Sequence, residues 1–165
     1  MIRKAKLQDV PQIIQLVNYY AQKDIMLGIS KGQTYSKIRE FFVVEKDKKI
    51  TACGALHIYW DQLAEIRSLA VHEDYLGNGL GKNIVEALLN DAQDLGVGNV
   101  FTLTLKPVFF EKLGFAIIEK EKLPHKIWQD CMNCPKFPHC DEIALILSLS
   151  EEAKDIEEFD IINGE

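Results

Sequence analysis

A glycine-rich segment, Leu76-Gly77-Asn78-Gly79-Leu80-Gly81, is the part of the chain whose residue types and spacing point most directly to chemistry. Glycine adopts backbone conformations that other residues avoid, and it lets a ligand approach backbone N–H groups closely. The apolar residues that follow recur at helical spacing, so the segment should lead into a helix, whose N-terminus attracts anions. A glycine cluster also fits a tight turn that binds nothing. The pattern therefore indicates either a phosphate-binding loop or a simple turn.

A second candidate site is a cysteine cluster near the C-terminus. Cys131, Cys134 and Cys140, with His125 and His139 close by in sequence, offer the thiolate and imidazole ligands that zinc prefers. Structural zinc sites usually contain two close pairs of ligands, whereas this segment contains one close cysteine pair. We therefore favour small buried thiols over a metal site, and zinc remains the alternative.

The overall composition restricts the remaining function classes. The 165 residues are 47% hydrophobic and 27% charged, which is typical of one globular domain with a core. The formal net charge of −6 argues against a nucleic-acid partner, because phosphate binding requires a basic surface. No apolar run approaches the roughly 20 residues that span a membrane, and the N-terminus lacks the pattern of a signal peptide. The sequence thus predicts a cytoplasmic protein with reduced cysteines.

Alternating strands and helices are predicted to position these segments. Strands are expected at Ile2–Ala5, Phe42–Glu45, Ile50–Tyr59, Ile66–Val71, Val100–Leu105, Phe115–Ile118 and Ile143–Leu149. Helices are expected after an N-cap at Asp9, and at Tyr35–Phe41, Leu80–Leu95 and Pro107–Leu113. The less patterned stretch Asp24–Gln33 is predicted to be a substrate loop. These elements form a single domain over residues 1–150, and the acidic tail over residues 151–165 is expected to be frayed.

Three segments in this order resemble the GNAT acetyltransferases, and the resemblance extends along most of the chain. Ala64–Val71 is similar to the family's central strand, Leu76–Gly81 to its glycine-rich loop, and Phe109–Phe115 to its later helix-to-strand signature. The resemblance implies an α+β fold with three layers (α/β/α), in which helices flank a mixed, mostly antiparallel central sheet. It also implies acetyl-CoA as co-substrate.

The resemblance assigns acetyl-CoA binding mainly to backbone groups. The thioester is expected beside Leu69, Ala70 and Val71, at the end of the central strand. The pyrophosphate is expected on the backbone of Leu76, Gly77, Asn78, Gly79, Leu80 and Gly81. Lys82 and Phe110 are further candidate contacts, although Lys82 also fits an ordinary exposed helix lysine. The family's loop begins with a basic residue where this chain has Leu76, so backbone N–H groups must carry more of the binding.

Acetyl transfer to an amine also needs a proton acceptor and donors for the developing oxyanion. The resemblance makes Glu65 the candidate base, able to act through water; the alternative is a surface carboxylate at the start of a strand. A tyrosine often protonates the departing thiolate in this family, but this chain has Phe109 and Phe110 at that place. Thr104 is the candidate hydroxyl near the sulfur, and a strand threonine chosen for β-propensity is the alternative.

The segment from Leu123 to Glu142, together with Ala55–Tyr59, resembles the short stand-alone N-acetylglutamate synthases. This implies acetylation of the α-amino group of L-glutamate, the first step of arginine biosynthesis. A dicarboxylate needs cations, and the candidates are His57, Arg67 and Lys126. Family members commonly place an arginine where this chain has Ile29, and the next residue here is Ser30. Glutamine is therefore an alternative substrate, because Ser30 could serve as a neutral donor to its side chain.

Other function classes stay open at this point. Another amine, such as a polyamine, an antibiotic or a protein N-terminus, would suit the same fold. A non-catalytic acyl-CoA-binding regulatory module would explain the missing tyrosine and the missing basic residue of the loop. A homodimer is one alternative for the state of association.

Overall fold

The computed structural model describes residues 1–123 and 141–150. Seven strands form one sheet in the order β1-β2-β3-β4-β5-β7-β6. The strands are β1 (Ile2–Lys4), β2 (Phe41–Lys46), β3 (Lys49–Trp60), β4 (Leu63–Val71), β5 (Asn99–Thr104), β6 (Ala116–Ile118) and β7 (Ile143–Ser148). The helices are α1 (Val10–Ala21), α2 (Lys31–Ser36), α3 (Leu80–Leu95) and α4 (Pro107–Glu111).

The sheet is mixed and mostly antiparallel, as predicted. Strands β1, β2 and β3 pair antiparallel in chain order, and β7 pairs antiparallel with both β5 and β6. The parallel pair is β4 with β5, and its register covers the first three residues of β4, Leu63–Glu65. The predicted α+β class is therefore confirmed.

The chain forms two compact units, and it passes from one unit to the other within β3 and back within β4. The first unit contains Met1–His57 and Ile66–Asp91, and the second contains Ile58–Glu65 with the described residues that follow Asp91. The expectation of a single domain over residues 1–150 stays a prediction.

The core of the first unit packs α1 against β2 and β3. The apolar face of α1 supplies Ile13, Leu16 and Val17, which pack with Phe41 and Val43 of β2. From α3, Ile84, Val85 and Leu88 are buried. Gly54 in β3 allows this packing, because a Cβ atom there would lie 2.6 Å from Cγ2 of Ile84.

The core of the second unit is an apolar cluster beside the start of β4. Its buried members are Tyr59, Leu63, Phe101, Leu123 and Ala144. A separate aromatic group joins α4 to the residue before β6, since the ring of Phe110 packs edge-on against Phe109 and Phe115. Most members of the first cluster lie in β3, β4, β5 and β7, whereas the aromatic group lies in α4 and at the residue before β6.

The predicted position of the second helix and the predicted N-cap of the first helix both differ from the structure. The second helix lies at Lys31–Ser36, earlier than the predicted Tyr35–Phe41, because the Ser30 hydroxyl accepts a hydrogen bond from the Gln33 N–H and caps it. Asp9 does precede α1, but its side chain does not cap that helix. Its carboxylate instead accepts from the Lys6 N–H and from both terminal nitrogens of Arg3.

Candidate functional site

The glycine-rich loop leads from a short 3₁₀ turn, Glu73–Tyr75, into the first residue of α3. Gly77 and Gly79 have φ angles of 81° and 75°, which L-residues other than glycine rarely adopt. Apart from its chain neighbours, a Cβ atom built on either glycine meets no atom of the described residues within 4 Å. The loop is therefore left-handed at two positions and bordered by open space.

The N-terminus of α3 offers backbone donors toward that loop. The Asn83 N–H donates to the Gly79 carbonyl at 3.0 Å and so begins the helical ladder. The N–H groups of Leu80, Gly81 and Lys82 come before it and have no intrahelical acceptor, as at any helix start. Together with the dipole of a 16-residue helix they favour an anion.

The side chains of the loop add little positive charge. Leu76 is 61% exposed, so the position where a basic residue was expected carries an apolar side chain in solvent. The Lys82 ammonium lies 3.9 Å from the Glu86 carboxylate one turn later, and both side chains are exposed. Backbone groups are therefore the main anion-binding feature of this loop.

A cavity of about 380 Å³ borders the loop at Asn78 and Leu80. Its other walls include Lys46, Thr51 and Tyr75, and the Lys46 ammonium lies 5.6 Å from the centre of the Tyr75 ring. Thr51 also ties β3 to the end of β4, because its carbonyl accepts from the His72 N–H at 2.8 Å.

The strand that leads to the loop is bent at Ser68, which has a φ of 55° within β4. A left-handed residue inside a strand is typical of a β-bulge, which turns the following side chains and backbone groups. Cys53 supports this bend, because its thiol donates to the Ser68 carbonyl at 3.4 Å and its sulfur hydrogen-bonds the Ala70 backbone. The thiol is fully buried, and burial raises its pKa to about 12. Cys53 is thus a core residue and also a support for the bend.

The predicted thioester segment, Leu69–Val71, follows directly after this bend. Ala70 is buried, whereas Leu69 and Val71 are half-buried. The hydroxyl of Tyr20, near the end of α1, donates to the Val71 carbonyl. Burial raises the pKa of Tyr20, so it remains a protonated donor at neutral pH.

The predicted base, Glu65, is almost fully buried, with 8% of its surface exposed. The hydroxyl of Tyr59, itself 7% exposed, donates to Oε1 of Glu65 at 3.2 Å. The ring of Tyr59 packs against Phe101 with ring centres 5.7 Å apart. The alternative of a surface carboxylate at this position is therefore wrong, and the carboxylate has a buried hydroxyl partner that the sequence did not indicate. The role of Glu65 as base stays a prediction.

Two other predicted contacts lie in the second unit. Thr104 ends β5, and its Oγ1 accepts from the Lys106 N–H at 2.9 Å, a bond that uses a lone pair and not the hydroxyl proton. Phe110 is 4% exposed and packed between Phe109 and Phe115. Both assignments stay predictions, and Phe110 offers little surface for a contact.

The predicted substrate residues have unequal surroundings. His57 is half-buried and its Nδ1 lies 3.0 Å from the carboxylate of Glu40, a residue that the sequence did not single out. Arg67 is half-buried on β4, and the Ser30 hydroxyl caps α2. Lys126 lies outside the described residues. Their substrate roles stay predictions.

The predicted substrate loop is held by Asn18 of α1. Its side-chain oxygen accepts from the Ile29 N–H at 3.1 Å, and its amide nitrogen donates to the Ile29 carbonyl at 3.4 Å. The Ile29 side chain packs against the core of the first unit. The position where the family resemblance implied an arginine is therefore an apolar core contact here.

No group of three or more His, Cys, Asp or Glu side chains within residues 1–123 and 141–150 is arranged to hold a metal ion. The predicted alternative ligands, Cys131, Cys134 and Cys140, lie outside those ranges. None of the helices in the described part of the chain is long and apolar enough to cross a membrane.

Comparison with known proteins identifies the family. A model of the GNAT acetyltransferase domain matches residues 37–117. The chain is 43% identical to an uncharacterized N-acetyltransferase of Chlorobaculum tepidum over 90% of this chain and 96% of that protein. It is also 39% identical to an amino-acid acetyltransferase of Mycobacterium tuberculosis, over 79% of this chain and 76% of that one. The protein belongs to the GNAT family of acetyltransferases.

A solved structure extends this likeness to three dimensions. The Mycobacterium tuberculosis protein Rv2747, in complex with CoA, superposes with a TM-score of 0.79 at 32% identity, and the match covers 91% of this chain and 99% of that one. The predicted GNAT fold and family are confirmed. The chain is an acetyl-CoA-dependent N-acetyltransferase related to the amino-acid acetyltransferases.

Proposed function

We propose that this enzyme transfers the acetyl group of acetyl-CoA to the α-amino group of an amino acid, with L-glutamate as the substrate. This is the N-acetylglutamate synthase reaction, the first step of arginine biosynthesis. The observation that carries the proposal is the left-handed pair Gly77 and Gly79 at the N-terminus of α3, in a chain with amino-acid acetyltransferases among its relatives. Such a reaction belongs in the cytoplasm, where acetyl-CoA and free amino acids are both available.

The chain's residues fit acetyl-CoA at the loop. The open space beside Gly77 and Gly79 would receive the pyrophosphate, and the N–H groups of Leu80, Gly81 and Lys82 would donate to it. The absence of a basic side chain at Leu76 makes these backbone donors more important. Acetyl-CoA supplies the activated acetyl thioester, and the protein supplies binding, orientation and proton transfer.

The bent part of β4 would orient the thioester. Because Ser68 is left-handed, the backbone groups of Leu69–Val71 point differently from those of a regular strand. Fixed N–H donors beside a carbonyl oxygen stabilise the negative charge that develops on it during acyl transfer. We assign this role to the Leu69–Val71 segment.

Glu65 would accept the proton that the attacking amine loses, directly or through a water molecule. Thr104 would hydrogen-bond the departing sulfur, because the bond that its Oγ1 accepts from the Lys106 N–H does not use the hydroxyl proton. Phe109 and Phe110 stand where a tyrosine acid was expected, so solvent is the proposed source of the thiol proton. These roles rest on the family resemblance together with the burial of Glu65.

A second candidate substrate is L-glutamine. Two observations favour it: Ile29 packs into the core where an arginine was expected, and His57 already contacts the Glu40 carboxylate. Both reduce the positive charge available for a side-chain carboxylate. Arg67 and Lys126 are the other candidate cations for glutamate.

The test is thiol release from acetyl-CoA with a panel of amino acids and other amines at fixed ionic strength. Glutamate should exceed glutamine in kcat/KM by about 10–150-fold, because losing a hydrogen bond to a charged partner costs about 1.5–3 kcal/mol. Equal or higher values for glutamine would identify the second candidate. Acetyl-CoA binding without thiol release for any amine would contradict catalysis and favour the regulatory module.

A further inference from the structure

The second unit contains a buried hydroxyl and carboxylate pair that neither the family resemblance nor the comparisons assign. Tyr59 lies near the end of β3 and Glu65 lies in β4. Both residues are more than nine-tenths buried, and the Tyr59 hydroxyl is 3.2 Å from Oε1 of Glu65.

The surroundings of this pair make the Tyr59 hydroxyl important for holding the carboxylate of Glu65. Tyr59 belongs to an apolar cluster with Leu63, Phe101 and Leu123. A carboxylate taken out of water needs hydrogen-bond donors in place of the water it loses. The Tyr59 hydroxyl supplies one such donor to Oε1 of Glu65.

The packing of the Tyr59 ring also fixes the direction of the bond. The ring contacts Phe101, so its hydroxyl has a defined position in the cluster. The two oxygens of a carboxylate lie in one rigid plane. A hydrogen bond that holds Oε1 of Glu65 therefore also sets the direction in which Oε2 points. Proton transfer depends on such alignment, because the acceptor must lie within hydrogen-bonding reach of the proton.

We propose that Tyr59 is the positioning residue for Glu65, holding its carboxylate in the orientation that proton transfer requires. This inference rests on the proposed function. The amine nitrogen bonds to the acetyl carbon, the carbon–sulfur bond breaks with its electron pair on sulfur, and one amine proton passes to Glu65. Glu65 then returns that proton to solvent, and the thiolate takes one from solvent. The Tyr59 proton stays on its oxygen throughout.

A double-mutant cycle with Tyr59→Phe and Glu65→Gln tests this arrangement in the full-length enzyme. Tyr59→Phe keeps the ring and its packing but removes the donor, so kcat should fall about 10-fold with KM for acetyl-CoA unchanged, as for loss of one hydrogen bond to a charged group. Glu65→Gln should lower kcat about 100-fold or more. If Tyr59 acts through Glu65, the double variant should be no slower than Glu65→Gln alone.

Tyr35→Phe is the matched control, because Tyr35 is 39% exposed and removing its hydroxyl should leave kcat unchanged. Should Glu65→Gln fold poorly, Glu65→Asp takes its place in the cycle, since the shorter side chain withdraws the carboxylate from the hydroxyl. Melting temperatures of all variants identify losses that come from unfolding.

The outcomes separate the inference from the proposed function. A parental rate in Tyr59→Phe, or additive effects in the double variant, would overturn the positioning role alone. A parental rate in Glu65→Gln would remove Glu65 as the base and this inference with it. Absence of thiol release from the parent enzyme with every amine would overturn the proposed function first.

Discussion

The carboxylate of Glu40 lies 3.0 Å from Nδ1 of His57, and each side chain keeps about a quarter of its surface exposed (25% and 23%). Glu40 ends a short 3₁₀ turn before β2, whereas His57 lies within β3. A carboxylate on a substrate would therefore compete with Glu40 for this imidazole. The pairing lowers the contribution that we expect from His57 to the recognition of glutamate.

His57→Gln should change the ratio of kcat/KM for glutamate over glutamine by less than about 3-fold. A residue that truly held the substrate carboxylate would change that ratio by about 10–150-fold, the equivalent of about 1.5–3 kcal/mol. Steady-state thiol release with both amino acids measures the ratio. A loss of preference in the larger range would show that His57 leaves Glu40 to bind substrate.

Gly79→Asp should abolish acetyl-CoA binding while the fold survives. The substitution puts a carboxylate into the open space of the loop and strains a residue whose φ is 75°. Strain of this kind costs about 1–2 kcal/mol, and the added negative charge opposes a pyrophosphate. Isothermal titration calorimetry with acetyl-CoA measures the effect.

Gly96→Asp is the matched control for the loop substitution. Gly96 also has a left-handed φ, 86°, and in the described part of the chain no atom lies within 4 Å of its Cβ position, but it lies at the opposite end of α3. Its variant should show the same loss of stability and keep acetyl-CoA affinity. Equal affinity of both variants for acetyl-CoA would contradict the assignment of the loop.

Periodicity predicted the elements that depend on local sequence. Helix α3 was expected at Leu80–Leu95 and lies there, because its apolar residues recur every three to four positions and Gly96 ends it. The predicted position of α2 was wrong, because the Ser30 hydroxyl caps the helix and so sets the residue at which it begins. Caps of this kind compete with weak patterns in short helices.

The site residues that the sequence missed depend on pairing between distant elements. Glu40 and His57, or Tyr20 and Val71, meet only after the strands and helices have packed, and no spacing rule connects them. The left-handed conformation of Ser68 could not be predicted from the sequence either, because serine rarely adopts a positive φ. The sequence thus predicted the glycine-rich loop, because its conformation depends on neighbouring residues. The side-chain pairs could be identified only from the structure.

Gly54→Ala should destabilise the fold by about 1–3 kcal/mol, the usual cost of adding an atom to a packed core. The new methyl group would lie 2.6 Å from Cγ2 of Ile84 and 3.3 Å from side-chain carbons of Leu69 and Leu88. Thermal unfolding should show a lower Tm, by about 2–4 °C per kcal/mol in a chain of this size. Gly32→Ala in α2 is the control, because its Cβ would meet no atom of residues 1–123 and 141–150 within 4 Å, so the substitution should not lower Tm. An unchanged Tm for Gly54→Ala would contradict the close packing of β3 and α3.

Stability at low pH should depend on Asp9, whose carboxylate is held by Arg3 between β1 and α1. Two hydrogen bonds of 2.7 and 2.9 Å join the two side chains, and Asp9 is 4% exposed. The Arg3 hydrogen bonds lower the pKa of Asp9, although burial opposes them in part. The unfolded chain therefore binds a proton at a higher pH than the folded chain does.

The sign of the pH effect follows from that difference. A carboxyl whose pKa is lowered on folding stabilises the protein above its unfolded pKa of about 3.9, and this contribution is lost as the pH falls through the folded value. Asp9→Asn should cost about 1.5–3 kcal/mol at pH 7, as for other hydrogen bonds to charged groups, and the gap from the parent should shrink below about pH 4. Urea unfolding between about pH 2.5 and 7 measures this gap, with the exposed Asp94→Asn as control. A gap that stays constant over this range would mean that Asp9 stabilises the fold through its shape and neutral hydrogen bonds, and not through its charge.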